Sequence, residues 1–263
     1  MAGYFGTDEQ QHLQALVDAS AAETAGMPGA CQAGRIMGCD DVDRFGWDRI
    51  GEIIDRDGVF GFRLLPASTT DDIQARLLAL GCRFDAWDVF VADRGMALAA
   101  TKSLLARCPV GVTMLEAPID PESAYTRSIQ AEMHTAGIVP FSGSMLVGQL
   151  GPVTTVVAGG PSKEVMAVAH AYLPHNRFSP YQRYAWGGLV SVVERHRGKG
   201  LGNYINACMV ATAFDRLGAT HVYELVSATN QPSRRMVESC GLRHEPGFVC
   251  AVATRIDRPR FTR

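Results

Sequence analysis

The chain has 263 residues, of which 47% are hydrophobic and 20% charged, with a formal net charge of −2 at pH 7. That balance is ordinary for a globular protein and leaves no surplus of positive charge for nucleic acid or an anionic membrane surface. No apolar run approaches the roughly 20 residues that span a bilayer, and the N-terminus lacks both the basic and the apolar region of a secretory signal, so a cytoplasmic protein is expected.

Residues 8–26, rich in Gln, Ala and Leu, read as one helix ended by Gly26-Met-Pro28. Residues 27–48 carry Gly, Asp and Cys without a clear period and read as loop, with a short helix near 44–54. The apolar run 58–65 reads as a strand, and Thr70-Asp-Asp opens a helix whose stripe is Ile73, Leu77, Leu78 and Leu80 and whose stop is Gly81. A strand at 83–91 and a short helix or connector at 95–107 follow. Cys108-Pro109 is a plausible boundary, which gives two expected domains, 1–108 and 109–263.

Beyond the boundary, 112–117 reads as a strand and 123–136 as a helix, with Asp120-Pro121 supplying its first-turn chemistry. A second short helix within 141–150 closes near Gly151-Pro152. The run 153–158 is a strand, Gly159-Gly-Pro-Ser-Lys163 a turn, and 165–173 the antiparallel return. An irregular loop at 174–182 leads into the central strand, which begins at 183 and continues through the β-branched run 189–193.

This strand turns through Arg197-Gly-Lys-Gly-Leu-Gly202 directly into a helix, with Leu201, Ile205, Cys208, Met209, Ala213 and Leu217 on one face and Gly218 at its end. A strand, a glycine-rich turn and a helix N-terminus in that order make an anion site, because the first N–H groups of the helix are unpaired and its dipole favours negative charge. The turn is not a Walker loop, since Lys199 is followed by Gly200 rather than Ser or Thr, and its glycine spacing is not that of a dinucleotide fingerprint. A strand at 221–227 and the segment Asn230-Gln-Pro-Ser233, a short helix and Gly241-Leu242 come next.

The pattern Arg/Gln-x-x-Gly-x-Gly/Ala after a Val-rich strand, followed at one helix and one strand by Asn-x-x-Ser and a Gly-hydrophobic pair, resembles the GNAT superfamily of N-acetyltransferases over roughly residues 110–255. The resemblance implies an α/β (α+β) fold, with a mixed, mostly antiparallel central sheet flanked by helices and a smaller α/β N-terminal domain. It implies acetyl-CoA as cosubstrate and direct attack of an amine on the thioester, without a covalent acyl-enzyme. By the same carry-over Arg197, Gly198, Lys199, Gly200, Leu201, Gly202 and Asn203 hold the pyrophosphate. Backbone groups of Val190, Ser191 and Val192 lie along the pantetheine arm, and Asn230 and Ser233 reach the cofactor backbone. The N-terminal region resembles the leading regions of longer bacterial members, and a lid or wall over the acceptor site is the role expected of it.

Two departures keep an alternative open. Val237 stands where the family often has the tyrosine that protonates the leaving thiolate, and Val190 where some members carry a glutamate base. A non-catalytic acyl-CoA-binding or regulatory module of the same fold is therefore a second reading. The candidate bases are Glu224, one residue out of step with a family base position, and Tyr184, with Glu132, His170 and Tyr172 also on the acceptor side. Trp186 and Phe178 are candidate pocket walls. Seven scattered cysteines without a Cys-x-x-Cys pair and seven dispersed histidines lead to reduced core thiols and no metal. The acceptor is a small-molecule or protein amine, and a homodimer is left open.

Overall fold

The computed structural model describes residues 3–258. The first part runs α1 (Asp8–Gly26), β1 (Ala30–Gln32), β2 (Met37–Cys39), α2 (Val42–Phe45), α3 (Trp47–Asp57), β3 (Val59–Pro66), α4 (Thr70–Ala79), β4 (Cys82–Asp93) and α5 (Arg94–Leu105). The second runs β5 (Thr113–Leu115), α6 (Ala124–Thr135), α7 (Gly143–Leu146), β6 (Val153–Gly159), β7 (Val165–Tyr172), β8 (Tyr184–Val192), α8 (Leu201–Arg216), β9 (His221–Val226), α9 (Gln231–Ser239) and β10 (Arg243–Arg255). Helix α1 starts on a capping box: the Thr7 hydroxyl accepts from the Gln10 N–H while the Gln10 side chain accepts from the Thr7 N–H.

All ten strands form one mostly antiparallel sheet in the order β1-β2-β3-β10-β4-β9-β8-β7-β6-β5. The two parts are not separate sheets. Strand β3 passes through α4 to β4, yet β10 lies between them; β9 passes through α9 to β10, yet β4 lies between them. On each outer side the next connection is a helical crossover to a parallel neighbour, β2 to β3 and β8 to β9. The connectivity is thus the same on both sides of the β4–β10 pair, as if related by a two-fold through it, and each part completes the other's sheet.

Strand β7 shows how the layers are built. Its odd positions, Ala167, Ala169 and Ala171, pack in the core beneath α8, while Val168 and Tyr172 pack with Ile129 and Met133 of α6 on the opposite face. Helix α8 is buried on more than the single stripe expected, because α5 covers its outer side as the sheet covers its inner one. Strands β1 and β2 replace the expected loop at 27–48; three residues each are too few to show a period. Strand β10 has no sequence signature either, since Pro246 and Gly247 break its pattern where the pairing to β4 shifts register between His244 and Val249. Six of the seven cysteines are buried, all are free thiols, and no metal-binding cluster occurs among the described residues. No helix among them is long and apolar enough to cross a membrane.

Candidate functional site

The turn between β8 and α8 is open. Gly198 (φ 74) and Gly200 (φ 79) lie in the left-handed region, and a Cβ on either would meet nothing within 4 Å. Gly200 is the N-cap of α8 and no side chain caps that helix end. Among the described residues, the backbone N–H groups of 198 to 203 donate to no protein acceptor; the first amide of α8 to be paired is that of Tyr204, to the Gly200 carbonyl at 3.1 Å. Exposed cations surround these amides: Arg195, Arg197 and Lys199. Two of them shape the turn itself, with Arg197 Nε donating to the Val192 carbonyl at 3.0 Å and Lys199 Nζ to the Arg195 carbonyl at 3.1 Å. Leu201 contributes only backbone, because its side chain is in the core.

The two parallel strands beside this turn come apart. Strand β8 pairs with β9 only from Tyr184↔His221 to Gly187↔Glu224. From Gly188 onward, the edge of β8 that faces β9 has no strand partner, so backbone donors and acceptors of Val190 to Val192 are available to a ligand. A bulge accentuates the split: the β7–β8 register shifts between Val168 and His170, and Leu189 there adopts φ 52. That conformation costs a leucine on the order of 1–2 kcal/mol, and burial of its side chain against the α6–α7 core offsets it.

The opening is a cavity of about 620 Å³. Its walls are the edges of β8 and β9 from Trp186 to Val190 and from Glu224 to Val226, with Ser233, Met236 and Val237 of α9. The opposite wall comes from the N-terminal part, through Arg35, Arg63 and Trp87. The glycine turn adjoins its mouth, since a Cβ on Gly202 would lie 3.8 Å from both Met236 Sδ and Val192 Cγ2.

Glu224 lines this cavity although β-strand alternation allowed it to face away. It is 3% exposed, accepts from Asn206 Nδ2 of α8 at 2.9 Å, and burial pushes its pKa up to about 7, with the Asn206 bond partly opposing. Tyr184 is not brought there. It lies at the paired end of β8, stacked on His221 with ring centroids 4.2 Å apart, and its ring belongs to a cluster with Tyr181. His170 is fully buried and pushed down to about 3 by burial. Because the Thr155 hydroxyl donates to the Leu146 carbonyl, His170 Nδ1–H donates to that hydroxyl and the ring stays neutral. Tyr172 is a buried structural residue whose hydroxyl donates to the Gln32 carbonyl. Glu132 is half-buried on α6 and outside the cavity. Trp186 does wall the cavity, with a buried Nε1 that has no partner, while Phe178 does not reach it.

Asn230 caps α9, its Oδ1 accepting from the Ser233 N–H at 3.1 Å; that leaves its Nδ2 for a ligand. Ser191 has its hydroxyl buried and unpartnered away from the cavity, so only its backbone is at the open edge. Val237, 1% exposed, is packed in the core yet reaches the cavity wall. Three residues of the site carry no motif: Asn206, Arg63 and Arg35. A lone asparagine in an apolar helix and a lone arginine within Val59-Phe-Gly-Phe-Arg-Leu-Leu-Pro66 were the available signals.

No curated protein matches the chain by sequence. Residues 151–242, which run from the start of β6 past the end of α9, match the model of the acetyltransferase (GNAT) family. The fold is similar to that of a GCN5-related N-acetyltransferase from Kribbella flavida, at 13% identity and TM-score 0.57 over 93% of this chain and 96% of that one. It is also similar to a Drosophila protein, at 12% identity and TM-score 0.58 over 94% and 89%. A tandem GNAT protein from the clavulanic acid biosynthesis pathway gives 12% identity and TM-score 0.55 over 92% and 89%. At such identities the likeness is one of fold.

Proposed function

We propose that the protein is an N-acetyltransferase that passes the acetyl group of acetyl-CoA to an amine, a reading supported by the match of residues 151–242 to the acetyltransferase (GNAT) family model. The observation that carries this reading is the juxtaposition of unpaired amides at 198–203 with the unpaired edge of β8, joined at the Gly202–Met236 contact. A diphosphate on the turn places a pantetheine arm along Val190 to Val192, and an N–H on that edge can donate to a carbonyl oxygen that gains charge. The residues fit the cosubstrate: glycines where the backbone must come close, cations around the turn, and an apolar cleft beyond.

In this reading Glu224 is the base. An ammonium must lose a proton before its nitrogen can attack, and a buried carboxylate with a pKa of about 7 is matched to that task at neutral pH. Val237 cannot donate a proton, so the proton that the attacking nitrogen sheds on becoming an amide reaches the departing thiolate through water at the mouth. The N-terminal part acts as the acceptor-side wall, through Arg35, Arg63 and Trp87.

The second reading, a non-catalytic acyl-CoA-binding or regulatory module, is favoured by Val237 and by Val190, which stand where the family often has a tyrosine and some members a glutamate. Thiol release from acetyl-CoA over a panel of amines separates the two. Amine-dependent release supports the enzyme, and CoA binding with no release above the buffer rate supports the module.

A further inference from the structure

The acceptor wall holds a charge with no counter-ion. Arg63, on β3, is 7% exposed and lines the cavity. Its Nη1 donates to the Phe62 carbonyl at 3.3 Å and its Nη2 to the Ala33 carbonyl at 3.2 Å, while its buried Nε has no partner among the described residues. The groups around it, the hydroxyls of Tyr172 and Tyr223 and the thiols of Cys31 and Cys250, are neutral at physiological pH, and no carboxylate among the described residues is within ion-pair distance. An isolated buried cation is costly, and buried charges are as a rule paired.

A second cation shares the wall. Arg35 lines the same cavity, and its Nη1 donates to the Val139 carbonyl. Burial, and then the Arg63 charge, push its pKa down to about 10, so both guanidiniums are charged at neutral pH and repel each other. Arg63 lies on β3 and Glu224 on β9, with β10 and β4 between them in the sheet, so the basic and the acid ends of the cavity are separate. The cavity therefore has one end suited to a protonated amine and another suited to an anion.

We propose that the acceptor is an amine that also carries a carboxylate, an amino acid in the chemical sense, with its carboxylate on Arg63 beside Arg35 and its amine toward Glu224 and the β8 edge. This rests on the acyl-transfer reading for the amine's fate, but the carboxylate site itself does not. A carboxylate fits better than a phosphate because two of the five guanidinium N–H groups of Arg63 are held by the Phe62 and Ala33 carbonyls and the Tyr172 hydroxyl takes a further hydrogen bond, and a planar monoanion needs fewer donors than a dianion.

The test is calorimetric binding to the CoA-loaded protein of the twenty standard amino acids, β-alanine and 4-aminobutyrate, each against its carboxamide, with 2-aminoethylphosphonate as the phosphonate arm. The expected result is that at least one amino acid binds, its carboxamide binds at least tenfold more weakly, and Arg63→Met removes that preference with CoA affinity unchanged. Arg63→Met relieves an unpaired buried charge, so its Tm is expected to equal or exceed that of the parent, and Arg63→Lys is expected to keep part of the preference. Binding of no amino acid, equal binding of the carboxamides, binding of the phosphonate alone, or a preference that survives Arg63→Met would each overturn the proposal. Failure of the acyl-transfer reading shows separately, as loss of CoA binding or of thiol release while carboxylate binding persists.

Discussion

The Nδ2 of Asn206, in the middle of α8, donates to Oε1 of Glu224, in the middle of β9, across 2.9 Å. This links the helix that begins at the anion turn to the acid in the cleft. It also leaves the second carboxylate oxygen without a protein partner among the described residues.

Glu224 makes stability and activity respond to pH in opposite senses. Folding raises its pKa from 4.5 to about 7, so between those values the native state holds a proton that the unfolded chain has lost. Its contribution to stability therefore declines as pH rises through that window, by on the order of 3 kcal/mol in all. Turnover that needs the carboxylate form rises over the same range. In Glu224→Gln, unfolding midpoints measured from pH 5 to 8 are expected to lose that part of the decline, and thiol release to fall about 100-fold. A parent-like profile in the variant would remove Glu224 from the role of base.

Asn206 holds the Glu224 pKa below where burial alone would put it. Asn206→Leu is expected to move the midpoint of the pH–rate profile upward and to cost about 1–3 kcal/mol at pH 8, where the carboxylate has lost its donor. The two effects are read from the rate profile and from urea unfolding at pH 6 and pH 8.

A buried chain of three groups joins the two parts of the sequence. Asp40 Oδ2 lies 2.6 Å from His175 Nδ1, and His175 Nε2 lies 3.2 Å from the Tyr223 hydroxyl. Asp40 and His175 side chains are essentially inaccessible, at 2% and 0%. Burial lowers the His175 pKa and Asp40 opposes it, which fits an imidazole whose Nδ1–H donates to the carboxylate. His175→Leu strands that carboxylate and is expected to cost about 3–5 kcal/mol in urea unfolding. The Asp40→Leu, His175→Leu double variant is expected to lose less than the single one.

Much of this is legible in the sequence. Helix α1, helix α4, the β6–β7 hairpin and the strand–turn–helix around Gly200 carry period, caps and glycines that state their conformation locally. The split between β8 and β9 was not legible from the residues alone, because it depends on a bulge at Leu189 set by pairing to β7. The shared sheet was not legible either: nothing in Cys82–Asp93 says that this strand pairs with β9 and β10, more than a hundred residues further on. Arg63 was visible as an oddity in an apolar strand, but its meaning appears only when the fold brings it into a cavity with Glu224.

The most direct test of the account is a calorimetric titration of CoA into the parent protein and into Gly200→Asp. The substitution puts a carboxylate where six backbone N–H groups are unpaired, in space that is otherwise empty. It also forces a left-handed residue to carry a Cβ, so Gly200→Asn, which keeps the strain without the charge, is the control. The account predicts that the parent binds CoA, that Gly200→Asn binds within a few-fold of it, and that Gly200→Asp binds more than tenfold more weakly with its Tm little changed from that of Gly200→Asn. Equal CoA affinity in all three proteins would contradict it, because the diphosphate would then lie somewhere other than the turn.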